Sequence, residues 1–357
     1  MRASVAQTLH RSMLSVVFLL PLVLSAQVTN LTNQHMDFRL QYDASATGSN
    51  RLGVILGYDP GQRATNDHVY IVGGSSAKVN IPANANYAFL GAAGSPVWIL
   101  PQSQNTALPY LGLSAEDIPN GVFTDPMQLE VVSVEGPGNF FVWSVSGVGQ
   151  PPLVKMIVTN AVVAPGFNHA AVFIGSHEHN NWAFSTNGLY RVTFRANGQF
   201  IGDATNTLGR DVAWAFQILP LRPWENWVST NWLPATASIT NGPAADPDGD
   251  GIPNAFEYAL GLNPNAASAT GLPQFSLVTE SGETYGALTF TRNKAATDID
   301  YLPSVRSELD SGDWTTLTQV VSVVDHGATE TVTMRDSVPH AASAARFFQF
   351  RVRLNYP

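Results

Sequence analysis

The sequence predicts an all-β chain: an N-terminal β-sandwich, a short helical linker, and a smaller C-terminal β-sandwich-like domain. Three observations carry this. Apolar runs of strand length recur between Gly-, Pro- and Asn-rich turns, one run alternates cleanly, and only 13% of residues are charged against 29 Gly and 23 Pro.

The first 26 residues read as a signal peptide. Arg2, His10 and Arg11 form a basic start, Met13 to Leu24 is a continuous apolar run, and Leu24-Ser25-Ala26 offers a small residue for cleavage before Gln27. The run is shorter than the roughly 18 residues that span a bilayer. Cleavage removes two arginines and no acid, taking the net charge from -9 to -11. So acidic a chain, without a Lys/Arg cluster, argues against nucleic acid and anionic lipid as partners. Cysteine is absent, so an exported chain has no disulfide framework, and any metal site must use His, Asp, Glu, Asn or backbone oxygen.

Residues 27–221 read as the larger sandwich. Its strands are Leu52–Tyr58, His68–Val72, Pro96–Leu100, Gln128–Val134, Asn139–Val145, Leu189–Arg195 and Asp211–Leu219. In Leu189–Arg195, Tyr190, Val192 and Phe194 alternate with Leu189, Arg191, Thr193 and Arg195, the pattern of a half-buried strand. Trp98, Trp143, Trp182, Phe184 and Trp214 read as core. Residues 222–268 form the linker. Pro223 stands at a first helical position, with Trp224, Trp227 and Val228 on one helical face. The tryptophans are expected to pack against the acidic module beside them. Phe256–Leu262 is a second short helix stopped at Gly261. Residues 269–357 return to strands at Ala287–Arg292, Trp314–Val324, Thr329–Met334 and Phe347–Leu354.

Within the linker, Asp246, Asp248, Asp250, Ile252, Asn254 and Glu257 fall at positions 1, 3, 5, 7, 9 and 12 of a twelve-residue frame, with Gly251 at the sharp turn. This is the ligand order of an EF-hand loop. Ca²⁺ takes six to eight oxygens, Ile252 supplies only its carbonyl, and the terminal Glu can supply two oxygens at once. Calcium is therefore the expected ion. The segment Ala245–Pro264 resembles the calcium repeats of dockerins and thrombospondin type 3 modules. It also resembles a segment near the C-termini of large secreted proteins of Verrucomicrobia and Planctomycetes. Dockerins present a cohesin-binding face with two such loops; this chain has one, and the resemblance implies a joint stiffened by calcium.

Two histidine motifs stand apart: His35-Met-Asp37 and His177-Glu-His179. In extended chain, residues two apart share a face. His177 with His179, and His35 with Asp37, could then complete a four-ligand N/O site suited to zinc, with copper, nickel and manganese as alternatives. The bland alternative is a set of hydrogen-bonding histidines at a turn. His35 to Leu219 resembles the choice-of-anchor M family of bacterial surface domains. The resemblance is carried by His35–Asp37, Phe89–Gly94, Val97–Gln102, Leu111–Leu113, Val134–Phe140, Gly175–Phe184 and Gly188–Val192. Members are often encoded beside metal-type ABC transporters, which implies metal handling. No His-Glu-x-x-His helix, Gly-x-Ser-x-Gly elbow, phosphate loop or cysteine nucleophile is present. The expected role is non-enzymatic: a secreted or cell-surface protein whose partners are metal ions and cell-surface components or other extracellular proteins. A structural or adhesive module without transition metal is the alternative, and a metal-dependent hydrolase, with Glu178 the one local base, is the least favoured.

Overall fold

A computed structural model describes residues 28–147, 149–234, 241–268, 270–342 and 345–355. The leader expected at residues 1–26 lies outside them. Among the described residues no helix is long and apolar enough to cross a membrane. The protein is all-β, with two sandwich units and, among the described residues, two short α-helices between them.

The N-terminal sandwich sets a five-stranded sheet against a larger one. The small sheet runs, in spatial order, His177–His179, Tyr110–Ser114, His35–Tyr42, Leu52–Tyr58 and Gln62–Ala64. Alternation along its central strand sends Met36, Phe38 and Leu40 inward. Phe38 is fully buried, with ring centroids of Phe194 at 5.1 Å, Trp182 at 5.4 Å and Trp214 at 5.5 Å. In the facing sheet, strand Gly188–Gly198 buries Tyr190, Val192 and Phe194 and half-exposes the residues between, as its sequence predicts.

Strands that read as unbroken apolar runs are covered on both faces. In Val212–Ile218, Trp214 and Phe216 join the sandwich core, while Ala215 looks outward. In Phe140–Ser144, Phe140 and Val142 face the sandwich core. Phe141 and Trp143 belong to an outer cluster where Phe89 covers them. Trp143 is therefore buried, but outside the sandwich.

The outward side chains Tyr70, Val72 and Ala215 meet Trp224 and Val228 of the helix Pro223–Asn231, Tyr258 and Ala259 of the helix Asn254–Leu260, and Ala296 and Ile299 of the C-terminal unit. Tyr258 lies 5.3 Å, centroid to centroid, from both Trp224 and Trp227. Asp298 ties the joint by accepting from the Trp224 amide at 3.0 Å and from the Tyr258 hydroxyl. The second helix ends at Gly261 in a left-handed conformation (φ 73°), the geometry for which glycine is the default residue.

The C-terminal unit packs a four-stranded sheet (Gln274–Glu280, Glu283–Asn293, Thr329–Arg335, Gln319–Asp325) on a three-stranded one (Thr315–Thr316, Ile299–Arg306, Phe347–Leu354) around Leu288, Phe290, Val305, Leu317 and Val332. The single strand expected over Trp314–Val324 is two. Thr315–Thr316 pairs in the small sheet and Gln319–Asp325 in the large one, because the chain crosses the core between them and buries Leu317 there. Phe38→Ala should cost about 3–5 kcal/mol of stability in urea unfolding. A loss below about 1 kcal/mol would show that the core does not centre on this ring.

Candidate functional site

The outward face of the small sheet carries the histidines. On strand His35–Tyr42 the residues alternating with the core set are His35, Asp37 and Arg39. This strand pairs in parallel with Tyr110–Ser114, which pairs antiparallel with His177–His179. The register aligns Asp37 with Gly112 and Gly112 with His179, so these three residues form one row across the sheet. Both histidine motifs are extended, as expected, and the fold brings them together: one nitrogen each from His35, His177 and His179 lies within 4.8 Å of the others.

Gly112 makes the convergence possible. A Cβ there would collide with Asp37 Oδ1 and come within 3.1 Å of the Glu178 carbonyl and of His179 Cε1. The missing side chain is thus the space in which Asp37 and His179 approach across an intervening strand. Tyr110, one row along, stacks flat on the His179 ring at 3.5 Å and 6° and fixes its orientation.

His35 Nε2 faces His179 Nε2 at 3.1 Å. Two nitrogens on a tetrahedral Zn²⁺, each about 2.0–2.1 Å from the ion, would stand roughly 3.3 Å apart. The Nδ1 of His177 is hydrogen-bonded to Glu116 Oε1 at 3.1 Å, whereas His35 Nδ1 lies 3.4 Å from the exposed Asp59 Oδ2 without a hydrogen bond. Carboxylates behind imidazoles are the usual outer support of a metal ligand, since they fix the tautomer and leave the other nitrogen's lone pair for the ion. Burial pushes His179 down to about 4, and the charge of neighbouring His35 adds to the fall. Its ring is therefore neutral at pH 7, as a ligand must be. Burial pushes the Asp37 carboxyl above its ordinary range, against the pull of His35, His177 and Arg39.

Asp37 stands slightly apart. Its Oδ2 is 3.7 Å from His35 Nε2, its buried Oδ1 has no hydrogen-bond partner, and it falls outside the mutual 4.8 Å set of the three histidines. Glu178 projects to the opposite face, where it pairs with the buried Lys155, so it cannot act as a base at the histidines. Sequence reasoning missed Tyr110, Gly112, Asp59 and Glu116. A glycine inside the apolar Leu111-Gly-Leu113 run was the one readable signal, since such a glycine marks close approach.

The acidic loop forms a second cluster. Oxygens of Asp246, Asp248 and Asp250 lie within 4.8 Å of one another. Their other contacts are to loop amides: Asp246 accepts from Gly249 and Gly251 at 3.0 and 2.9 Å, Asp248 from Asp250 at 3.2 Å, and Asp250 from Ile252 and Ser268 at 2.7 Å. Ile252 itself is buried. Asn254 and Glu257, in the first turn of the second helix, are both 0% exposed. Asn254 donates to the carbonyls of Asn241 and Gly242 at 3.2 Å, which orients its amide and leaves Oδ1 without a partner. Asp248 Oδ2 and both carboxylate oxygens of Glu257 are buried without partners as well. Burial, then repulsion from Asp248, Asp250 and Asp246, pushes Glu257 up to about 7. Four orphaned acceptor oxygens at positions 3, 9 and 12 of the frame fit a hard cation and cost several kcal/mol without one.

Gly112→Ala should abolish metal binding at the histidines while costing about 1–3 kcal/mol in thermal unfolding. Undiminished metal stoichiometry in that variant would show that the shared row is not needed.

The chain matches no protein-family model and no curated protein. Among solved structures it is similar to a chain of the CsuC–CsuE chaperone–tip adhesion subunit pre-assembly complex from the archaic chaperone-usher Csu pili of Acinetobacter baumannii, at 11% identity. The match covers 64% of this chain and 87% of that one with a TM-score of 0.13, a likeness too slight to bear on function.

Proposed function

We propose that this protein is an exported, non-enzymatic surface or extracellular protein that binds a transition metal on its N-terminal sandwich and is braced by calcium at its joint. The convergence of His35, His177 and His179 within 4.8 Å carries the reading. Residues far apart in the chain supply these ligands, and Glu116 backs the His177 ring in the manner of an outer support for a metal ligand. Zinc suits three imidazoles and a neighbouring carboxylate, with copper and manganese next. Asp37 is the fourth candidate ligand. Export rests on the leader at residues 1–26 and fits a metal site made without cysteine. The resemblance of residues 35–219 to choice-of-anchor M domains points the same way.

Calcium at Asp246, Asp248, Asp250, Ile252, Asn254 and Glu257 is favoured by the orphaned oxygens of Asp248, Asn254 and Glu257. Glu257 and Tyr258 are consecutive on one helix, the first aimed at the loop and the second packed in the joint. A bound ion would therefore fix the joint directly. Extracellular modules of this kind have Kd of about 10⁻⁴ to 10⁻³ M, and calcium at a hundred times Kd would add about 2.7 kcal/mol to stability.

Elemental analysis of tag-free mature protein under metal-replete conditions should give one equivalent of zinc, copper or manganese, lost in His177→Ala/His179→Ala. Metal-free protein would sink the reading in favour of a structural or adhesive module. Calorimetric titration should give one calcium site, weakened at least tenfold by Glu257→Ala or Asp250→Ala. Calcium should also raise the midpoint of thermal unfolding in the parent protein alone. Equal calcium affinity in both variants would remove the loop assignment.

A further inference from the structure

A cavity of about 340 Å³ opens beside the histidines, and its lining includes His35, Asp37, His177, Arg39 and Arg63. The two arginines differ. Arg39 is fully engaged: its Nε and Nη2 grip Asp117 at 2.9 Å each, and its Nη1 reaches Glu116 at 3.0 Å. Arg63 donates through Nη2 to Asp117 Oδ1 at 3.2 Å, and its side chain is 54% exposed. Its Nη1 and Nε remain for another acceptor, and its exposure leaves it free to turn toward one. Asp117 loses little when it does, because Arg39 already holds it with two hydrogen bonds.

Charge also decides what the cavity can take. Arg39 and Arg63 cancel Glu116 and Asp117, so these four add no net charge. A divalent ion on three neutral imidazoles would bring two positive charges. Asp37, buried, offsets one, and Asp59, 67% exposed and 3.4 Å from His35 Nδ1, offsets the other only in part because water solvates it. A partly desolvated centre with residual positive charge then shares the cavity with a guanidinium that has spare donors. Asp37 Oδ2 lies 3.7 Å from His35 Nε2 but outside the mutual ligand distance of the three histidines, so it competes with a ligand entering from the cavity for the fourth position. Three imidazoles with the fourth position open is the arrangement that admits an exogenous ligand.

We propose that the fourth position of this metal faces the cavity and takes, in place of Asp37, an anionic oxygen ligand, a carboxylate or a phosphate, whose remaining oxygens are held by Arg63. The proposal rests on the metal reading above and adds the class of ligand. Guanidinium and carboxylate or phosphate match in geometry as well as charge. A neutral sugar or an apolar ligand would leave both the ion's charge and the free Arg63 donors unanswered.

The test uses the mature chain loaded with Co²⁺, whose visible absorption reports coordination, titrated with inorganic phosphate and, separately, acetate. Metal content is measured on the same samples. The expected result is a saturable spectral change with at least one of the two anions. Arg63→Gln should weaken that anion about tenfold without changing the cobalt stoichiometry, and Arg63→Lys should recover part of the loss. Cobalt bound at one equivalent with a spectrum that neither anion moves would overturn the proposal and leave the metal reading standing, with Asp37 as fourth ligand. Equal anion affinity in the parent and Arg63→Gln proteins would overturn the role of Arg63. Failure to bind cobalt or zinc at the histidines would overturn both readings.

Discussion

Alternation along strand His35–Tyr42 joins two demands on the same eight residues. Met36, Phe38 and Leu40 must face the sandwich core, and that fixes His35, Asp37 and Arg39 on the other side. A slip of one residue against either neighbour would bury a histidine, a carboxylate and a guanidinium and expose three core side chains. Each buried apolar side chain contributes about 1.5–3 kcal/mol, so register is enforced from the inside by energies larger than anything the outer face supplies. The site is built on a strand whose register three fully buried side chains specify. It is positioned by packing rather than by its own weak polar contacts.

The two clusters differ in how much of them the sequence displays. The acidic loop is local: its candidate ligands lie within twelve residues, and spacing alone reveals the frame. The histidine site is assembled from three separated strands. Each two-residue motif could be read as extended, and so as sharing a face, but their meeting depends on the parallel pairing of His35–Arg39 with Tyr110–Ser114. Strand partners are not written in a run of residues. Tyr110 and Glu116 gain their roles only from that pairing, and Gly112 carries a hint that is visible without its meaning. Nothing in the sequence links Arg39 and Arg63 to the histidines; the sheet sets them beside one cavity.

The architecture was legible where a strand's environment is simple. Half-buried Leu189–Arg195 alternates, and the structure buries the expected set. Strands rich in apolar residues on both faces were legible as strands. The cover on their second face was not, as Trp143 illustrates by packing in an outer cluster. The strand expected over Trp314–Val324 failed for a related reason: continuous β propensity cannot reveal that Leu317 passes through the core and moves the chain between sheets. Short strands such as Gln62–Ala64 leave no periodic trace at all.

Trp224, Trp227 and Tyr258 lie on the path along which tension would pass if the two ends of the chain were pulled apart. The aromatic cluster touches both sandwiches, and Asp298 pins it from the C-terminal side. Opening the joint would have to part these packed rings. Side chains packed as a cluster must give way together, whereas a peeled strand gives way one pair at a time. A tether built this way holds its length until it fails, and the two sandwiches keep a fixed bearing under load that an open linker could not maintain.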